Sequence, residues 1–131
     1  MSDRFFIGPT GNSNYTSTAT WSSTVDGLTT PASVPTSADN VKPATTIAAG
    51  ATLTVNAAAQ NCLDMDWTGA TNNPTLAGSL SLNAYGSVTL ISAMTITYTG
   101  ELRGKGTGKT FTSNGQTLLG SFAMYDAAAS Y

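Results

Sequence analysis

Residues 103–110 read RGKGTGKT and end in Gly108-Lys109-Thr110, residue types with which a phosphate-binding loop cradles a nucleotide. That chemistry needs a glycine five positions before Gly108, so that successive backbone N–H groups face the phosphates, and a helix after the threonine. Arg103 stands where the glycine is required, and the following FTSNGQT reads as strand and turn. The spacing argues against nucleotide binding. What remains is a glycine-rich turn carrying Arg103, Lys105 and Lys109, three of the five basic residues. Such a turn is a candidate contact for an acidic neighbouring surface, weighed against a plain solvated turn. Asp64 and Asp66, two apart on a strand, share one face and have the spacing to flank a sugar or hold a cation. Glu101 is the one further carboxylate near them in the expected ladder, the chain has no histidine, and no cluster of aromatics forms a sugar groove. The pair therefore reads as solvated outward carboxylates, with no catalytic, cofactor-binding or metal-ligating residue assigned and no enzymatic activity expected.

These residues sit on short segments in which apolar side chains alternate with Thr, Ser, Asn or Asp: Leu53/Val55, Leu63/Met65/Trp67, Leu80/Leu82, Val88/Leu90 and Met94/Ile96/Tyr98. Alternation with period two puts one set of side chains on an inner face of a strand and the other in solvent. The segments recur. Met65, Leu82, Leu102 and Phe122 lie 17 to 20 residues apart, Val55, Leu76, Ile96 and Leu118 lie 20 to 22 apart, and Leu90 precedes Phe111 by 21. A shared period near 20 with several strands per repeat is what a β-solenoid requires, because each strand stacks on its equivalent in the next coil. The expected fold is all-β, a short parallel β-helix of about four coils, with a β-sandwich as the alternative. In that register Asp64 lies over Ser81 and Glu101, and Asp66 over Asn83 and Arg103.

Composition agrees with strands. Only 9% of residues are charged, 40% are hydrophobic, and Thr with Ser exceeds a quarter of the chain; β-branched Thr suits a pleated surface better than a helix. One core fills 131 residues. The net charge of −2 does not suit a nucleic-acid binder, which replaces phosphate counterions with Lys and Arg. Cys62 is the single cysteine and so reads as a buried free thiol. No window reaches membrane-spanning length, and MSDRFFIGPTGNS lacks the apolar core of a signal peptide. Asn14-Tyr15-Thr16 matches a glycosylation acceptor but carries little weight without such a signal. Asn114-Gly115 reads as a tight turn.

Residues 1–43 differ in texture, being rich in turns and carrying four of the five prolines and the aromatics Phe5, Phe6, Tyr15 and Trp21. A solenoid's first coil exposes its interior and a row of backbone groups, so this segment is expected to cap or dock it, with 44–120 forming the rungs and 121–131 a last rung and tail. The first rung is expected to start late, near Ile47. The run PASVPTSADNV at 31–41 is the expected seam between cap and coils. Trp21 and Trp67 are the expected cap and core residues; Phe5, Phe6, Tyr125 and Tyr131 join the basic turn as candidate partner contacts.

The stretches FFIGPTGNSNYTSTATWS and ASVPTSADNV, followed by NCLDMDWTGATNNPTLAGSLSLNAYGSVTL, resemble β-helical repeat proteins of phage tails and virion surfaces and of bacterial adhesins. The resemblance rests on an aromatic start, a Gly-x-Gly-Asn-like turn, Trp-Ser, and Val-Pro-x-x-x-Asp-Asn-Val leading into the first rung. Ser13 stands where the family has an aromatic, and Lys42-Pro43 where it has an extended apolar residue. The resemblance implies a virion protein made in the host cytoplasm, most specifically a capsid decoration protein that docks on the major capsid protein or other virion subunits. Trimers are common among such proteins, so a homotrimer is among the expected states. The alternatives are a tail-fibre or adhesin module that binds host glycans, and a self-assembling lattice or fibre subunit.

Overall fold

The structure, a computed structural model, describes residues 2–8 and 12–125; the expected contact Tyr131 and the tail from 126 onward lie outside the described residues. Fourteen short strands follow one another: β1 (Ser2–Phe6), β2 (Asn12–Asn14), β3 (Trp21–Ser22), β4 (Asp39–Pro43), β5 (Thr52–Val55), β6 (Gln60–Cys62), β7 (Met65–Asp66), β8 (Thr75–Gly78), β9 (Leu82–Ala84), β10 (Val88–Thr89), β11 (Thr95–Ile96), β12 (Glu101–Gly104), β13 (Phe111–Thr112) and β14 (Ser121–Met124). One 3-10 turn, Thr18–Thr20, is the only helical element among the described residues. The strands stack into three sheets, ordered β13-β10-β7-β4-β1-β3, β11-β8-β5-β2 and β14-β12-β9-β6. Every pairing is parallel except β1 with β3. The chain is a three-sided β-solenoid of about four turns.

Each side stacks like on like. Val41, Met65, Val88 and Phe111 form the inward column of the first sheet, and Leu53, Leu76 and Ile96 that of the second. Leu82, Leu102 and Phe122 form that of the third. All but Phe111 and Phe122, in the last coil, are buried.

The expected columns Leu76–Ile96 and Leu82–Leu102–Phe122 are present, but Met65 stacks on Val88 and not on Leu82. Val88, not Leu90, pairs with Phe111, and Val55 pairs with Gly78. Outside, Asp66 pairs with Thr89, while Asn83 and Arg103 stack on Asn61. The cause is the corners. The chain turns from first to second sheet through 44–51 and 67–74, but through the shorter 90–94 in the next coil; the corner 105–110 is correspondingly longer than 85–87. One sequence period therefore does not serve all three sides.

The N-terminal boundary also moves. β1 pairs with β4 over five positions and β2 with β5 over three, so residues expected to form a separate cap before residue 44 supply two sides of a first coil. The first rung does not wait until Ile47, and the seam PASVPTSADNV runs directly into β4. Reading that coil from sequence fails because its strands find their partners 37 to 40 positions later, the loop 23–38 being inserted within the turn.

Candidate functional site

The first coil has no strand on the third side; residues 15–22 arch over it instead. Tyr15 N–H donates to the Thr54 carbonyl (2.8 Å), and the Tyr15 hydroxyl donates to the Asn61 carbonyl on β6 (2.7 Å). The Trp21 indole N–H donates to the Tyr15 carbonyl (2.8 Å), and β3 then lies antiparallel along β1 as the last strand of its sheet. Phe6, Tyr15 and Trp21 are fully buried and Trp67 is 1% exposed. Their rings meet edge to face, Tyr15–Trp21 at 5.0 Å, Phe6–Trp67 at 5.8 Å and Phe6–Trp21 at 6.3 Å between centroids. Such pairs add about 0.5–1.5 kcal/mol each beyond the area they bury. Trp21 and Trp67 are thus core residues that plug this end. Phe6 lies in this plug, and Phe5, on the opposite face of β1, is only 9% exposed, so neither expected contact stands open on the surface.

Two carboxylates fasten β1. Asp3 accepts from Asn40 Nδ2 (2.9 Å) and Lys42 Nζ (3.0 Å); Asp39 accepts from the Ser2 hydroxyl and from the Thr36 backbone (2.9 Å) and hydroxyl (2.7 Å), with Arg4 Nη1 at 3.8 Å. Burial opposes the charge on both. For Asp39 the bonds from Ser2 and Thr36, helped by Arg4, outweigh burial and hold the carboxyl below its ordinary value; Asn40 and Lys42 do the same for Asp3.

The chemistry suggested by the glycine-rich turn is taken up by stacking. Gly104 lies over Ala84 and under Met124, and a Cβ on Gly106 would come within 2.4 Å of the Tyr85 carbonyl oxygen below it. Strand β13 follows the turn, so no helix N-terminus faces it. Arg103 Nε is bonded to Glu101 Oε1 (2.7 Å), and Arg103 and Lys105 lie 4.5 and 5.3 Å from the Tyr125 ring centroid. Hydrogen bonds from Tyr125 and Arg103 hold the Glu101 carboxyl below its usual range. The structure thus gathers Arg103, Lys105 and Tyr125 into one knot around Glu101; Lys109 sits on the following corner, outside it.

Asp64 and Asp66 part company. Asp64 Oδ1 accepts from the Ser87 backbone N–H (2.7 Å), and Asp64 N–H donates to Asn40 Oδ1 (3.2 Å), linking three coils at one corner. Gly86 is needed there, since a Cβ would come within 1.9 Å of that carboxylate oxygen. Asp66 Oδ1 accepts from Thr68 N–H (2.9 Å) and shapes a turn. Cys62 is buried with its thiol pushed up to about 12, burial being the main cause and the Asp64 charge the lesser one. Among the described residues there is no pocket, no cluster of three or more metal-ligating side chains, and no helix long and apolar enough to cross a membrane.

What sequence reasoning missed is exposed apolar surface. Leu28 is 79% and Val25 52% exposed on the loop 23–38, and Leu119 and Met124 are 60% and 59% exposed in the last coil, beside Tyr125, a contact already expected from the sequence, at 47%. The loop is held firmly: Ser23 N–H to the Thr29 carbonyl (3.1 Å), Leu28 N–H to Asp26 Oδ1 (3.0 Å), Thr45 N–H to the Val25 carbonyl (2.8 Å) and Arg4 Nε to the Ser33 carbonyl (2.9 Å). Its sequence signal is weak, an apolar residue on each side of the Asp26-Gly27 turn, outside any alternating segment. Comparison with protein-family models, curated proteins and solved structures finds no match.

Proposed function

We propose that this is a non-enzymatic structural protein of a phage virion, a capsid decoration protein that docks on the major capsid protein and stabilises neighbouring shell subunits by buried contact area. The observation that carries the reading is the loop 23–38, which presents Val25 and Leu28 to solvent from a hydrogen-bonded base on the plugged end of a rigid prism. Apolar groups fixed before binding lose little conformational freedom when a partner covers them, so even a small patch contributes affinity. The resemblance of FFIGPTGNS, TWS and VPTSADNV to virion β-helices supports the same assignment.

The test is to purify virions and measure the copy number of this chain against the major capsid protein. Near-stoichiometric amounts are expected; a handful of copies per particle would instead indicate a fibre or adhesin, and none would remove the reading. Leu28→Asp with Val25→Asp is expected to abolish rebinding to stripped shells while leaving the fold intact.

A further inference from the structure

One exposed motif takes no part in the docking loop or the plug. Asn114-Gly115 is the chain's only Asn-Gly pair. Both residues are exposed and left-handed, with φ +49° and +86°, in a turn closed by Gln116 N–H on the Ser113 carbonyl (3.0 Å). Asn114 Nδ2 donates to the Leu90 carbonyl in the preceding coil (2.7 Å), as Asn72 Nδ2 does to the Ile47 carbonyl (2.7 Å) at the equivalent corner of an earlier coil. Gln116 Nε2 adds bonds to the carbonyls of Ile91 (2.9 Å) and Met94 (2.6 Å). Side-chain amides thus fasten this corner.

What separates Asn114 from the other asparagines is the residue after it. A backbone nitrogen attacks the side-chain carbonyl of a preceding Asn fastest when no side chain hinders it, and Gly115 has open space where a Cβ would stand. Its N–H has no acceptor among the described residues. Asn72 precedes Asn73, and Asn73 precedes Pro74, whose nitrogen carries no proton. Asp26, the one acid before a glycine, is closed off. Gly27 N–H donates to the Thr24 carbonyl (3.0 Å), and the carboxylate, held charged by the Thr24 hydroxyl and Leu28 N–H, is a poor electrophile.

We propose that Asn114 is a self-modifying site gated by this corner. When the bonds to Leu90, Ile91 and Met94 open, the Gly115 nitrogen forms a bond to Asn114 Cγ; the Cγ–Nδ2 bond breaks, and ammonia leaves carrying the proton of Gly115. Water then opens the succinimide ring at either carbonyl, to aspartate or isoaspartate. Either product lacks the donor that held the Leu90 carbonyl and sets a carboxylate against it, so the corner does not close as before. The site uses none of the docking residues and is independent of the decoration reading.

Incubation of the 131-residue chain at mildly alkaline pH in heavy-oxygen water, followed by peptide mass spectrometry, tests it. Label from the water is expected at residue 114 at least tenfold faster than at any other asparagine, as a mixture of aspartate and isoaspartate. Gln116→Ala, its fold checked by circular dichroism, should speed the reaction at least threefold; Gly115→Ala should slow it even though it strains the turn. The separated product should exchange the Gln116 amide hydrogen faster than the parent chain does. Labelling first at another asparagine, or none at Asn114 over ten times the interval in which the free peptide TSNGQTL converts, would overturn the inference. So would a rate that Gln116→Ala fails to raise or Gly115→Ala fails to lower, or a product with unchanged hydrogen exchange.

Discussion

The two ends of the prism solve one problem in opposite ways. At the first coil the stack stops by folding back: β3 reverses along β1, and Phe6, Tyr15 and Trp21 fill the opening with no exposed surface. At the last coil, among the described residues, β13 and β14 still run in the direction of the strands they pair with, and the residues corresponding to buried Val88 and Leu102 are the half-buried Phe111 and Phe122. Reversal of the chain, more than aromatic content, is what finishes an end. Both ends offer aromatics, but only the one with an antiparallel strand and indole and phenol hydrogen bonds to the coil below removes them from water.

Substitutions should expose that difference, the largest at the plug. Trp21→Ala leaves a cavity beside Tyr15 and Phe6 and is expected to cost about 3–5 kcal/mol in urea-induced unfolding; Phe122→Ala, half-buried, should cost less than half as much. Equal losses would mean that both ends are closed alike. Glycines give a smaller contrast. Gly8 has φ +56° and a Cβ there would lie 2.3 Å from Ala51 Cβ, while Gly115, at φ +86°, has open space around it. Gly8→Ala should therefore lower stability by about 2–4 kcal/mol, strain plus overpacking, and Gly115→Ala by about 1 kcal/mol from strain alone.

Acid separates the ends more gently. The folded-state pKa of Asp3 and of Asp39 is lowered, so their contribution is present above the ordinary carboxylate value near 3.8 and is lost as pH falls through the lower folded value. Hydrogen exchange should show β1 and β3 loosening first below about pH 4, with Asp39→Asn removing much of that pH dependence, whereas β13, in a stretch without carboxylates, should hold. The smallest effect concerns Cys62: a thiol-specific reagent at pH 8 should leave it unmodified until the protein is unfolded, and fast labelling of the native chain would mean that the second coil opens.

Much of this fold was legible in the sequence because stacked coils repeat their own alternation. Leu82, Leu102 and Phe122 announce their column, as do Leu76 and Ile96, since short and long corners compensate there and leave a spacing of 20 residues in each case. Met65 and Val88 do not, because corners of unequal length shift the period from side to side and only the hydrogen bonds reveal which residues meet. Trp67 was readable as buried from its place in the alternation, and Trp21 as a large apolar side chain in the segment expected to cap the coils. Phe5 and Phe6 were not, since the strand they belong to has no visible repeat until its partner at 39–43 is known. Arg103 failing the phosphate-loop spacing was decisive in the sequence itself, but the exposure of Leu28 and Val25 depends on how an inserted loop folds back, which no periodicity encodes.

The inserted loop also sets an order of events in folding. Strands of the later coils close on partners 20 to 24 residues away, whereas β1 and β2 must find theirs across 37 to 40. The longer closure costs only about 0.5 kcal/mol more in chain entropy, yet it has to be met before the plug contributes anything. On a ribosome β1 emerges first and waits until β4 has been made. The part of the molecule that ends up most thoroughly closed is the one whose aromatics spend longest without partners during synthesis.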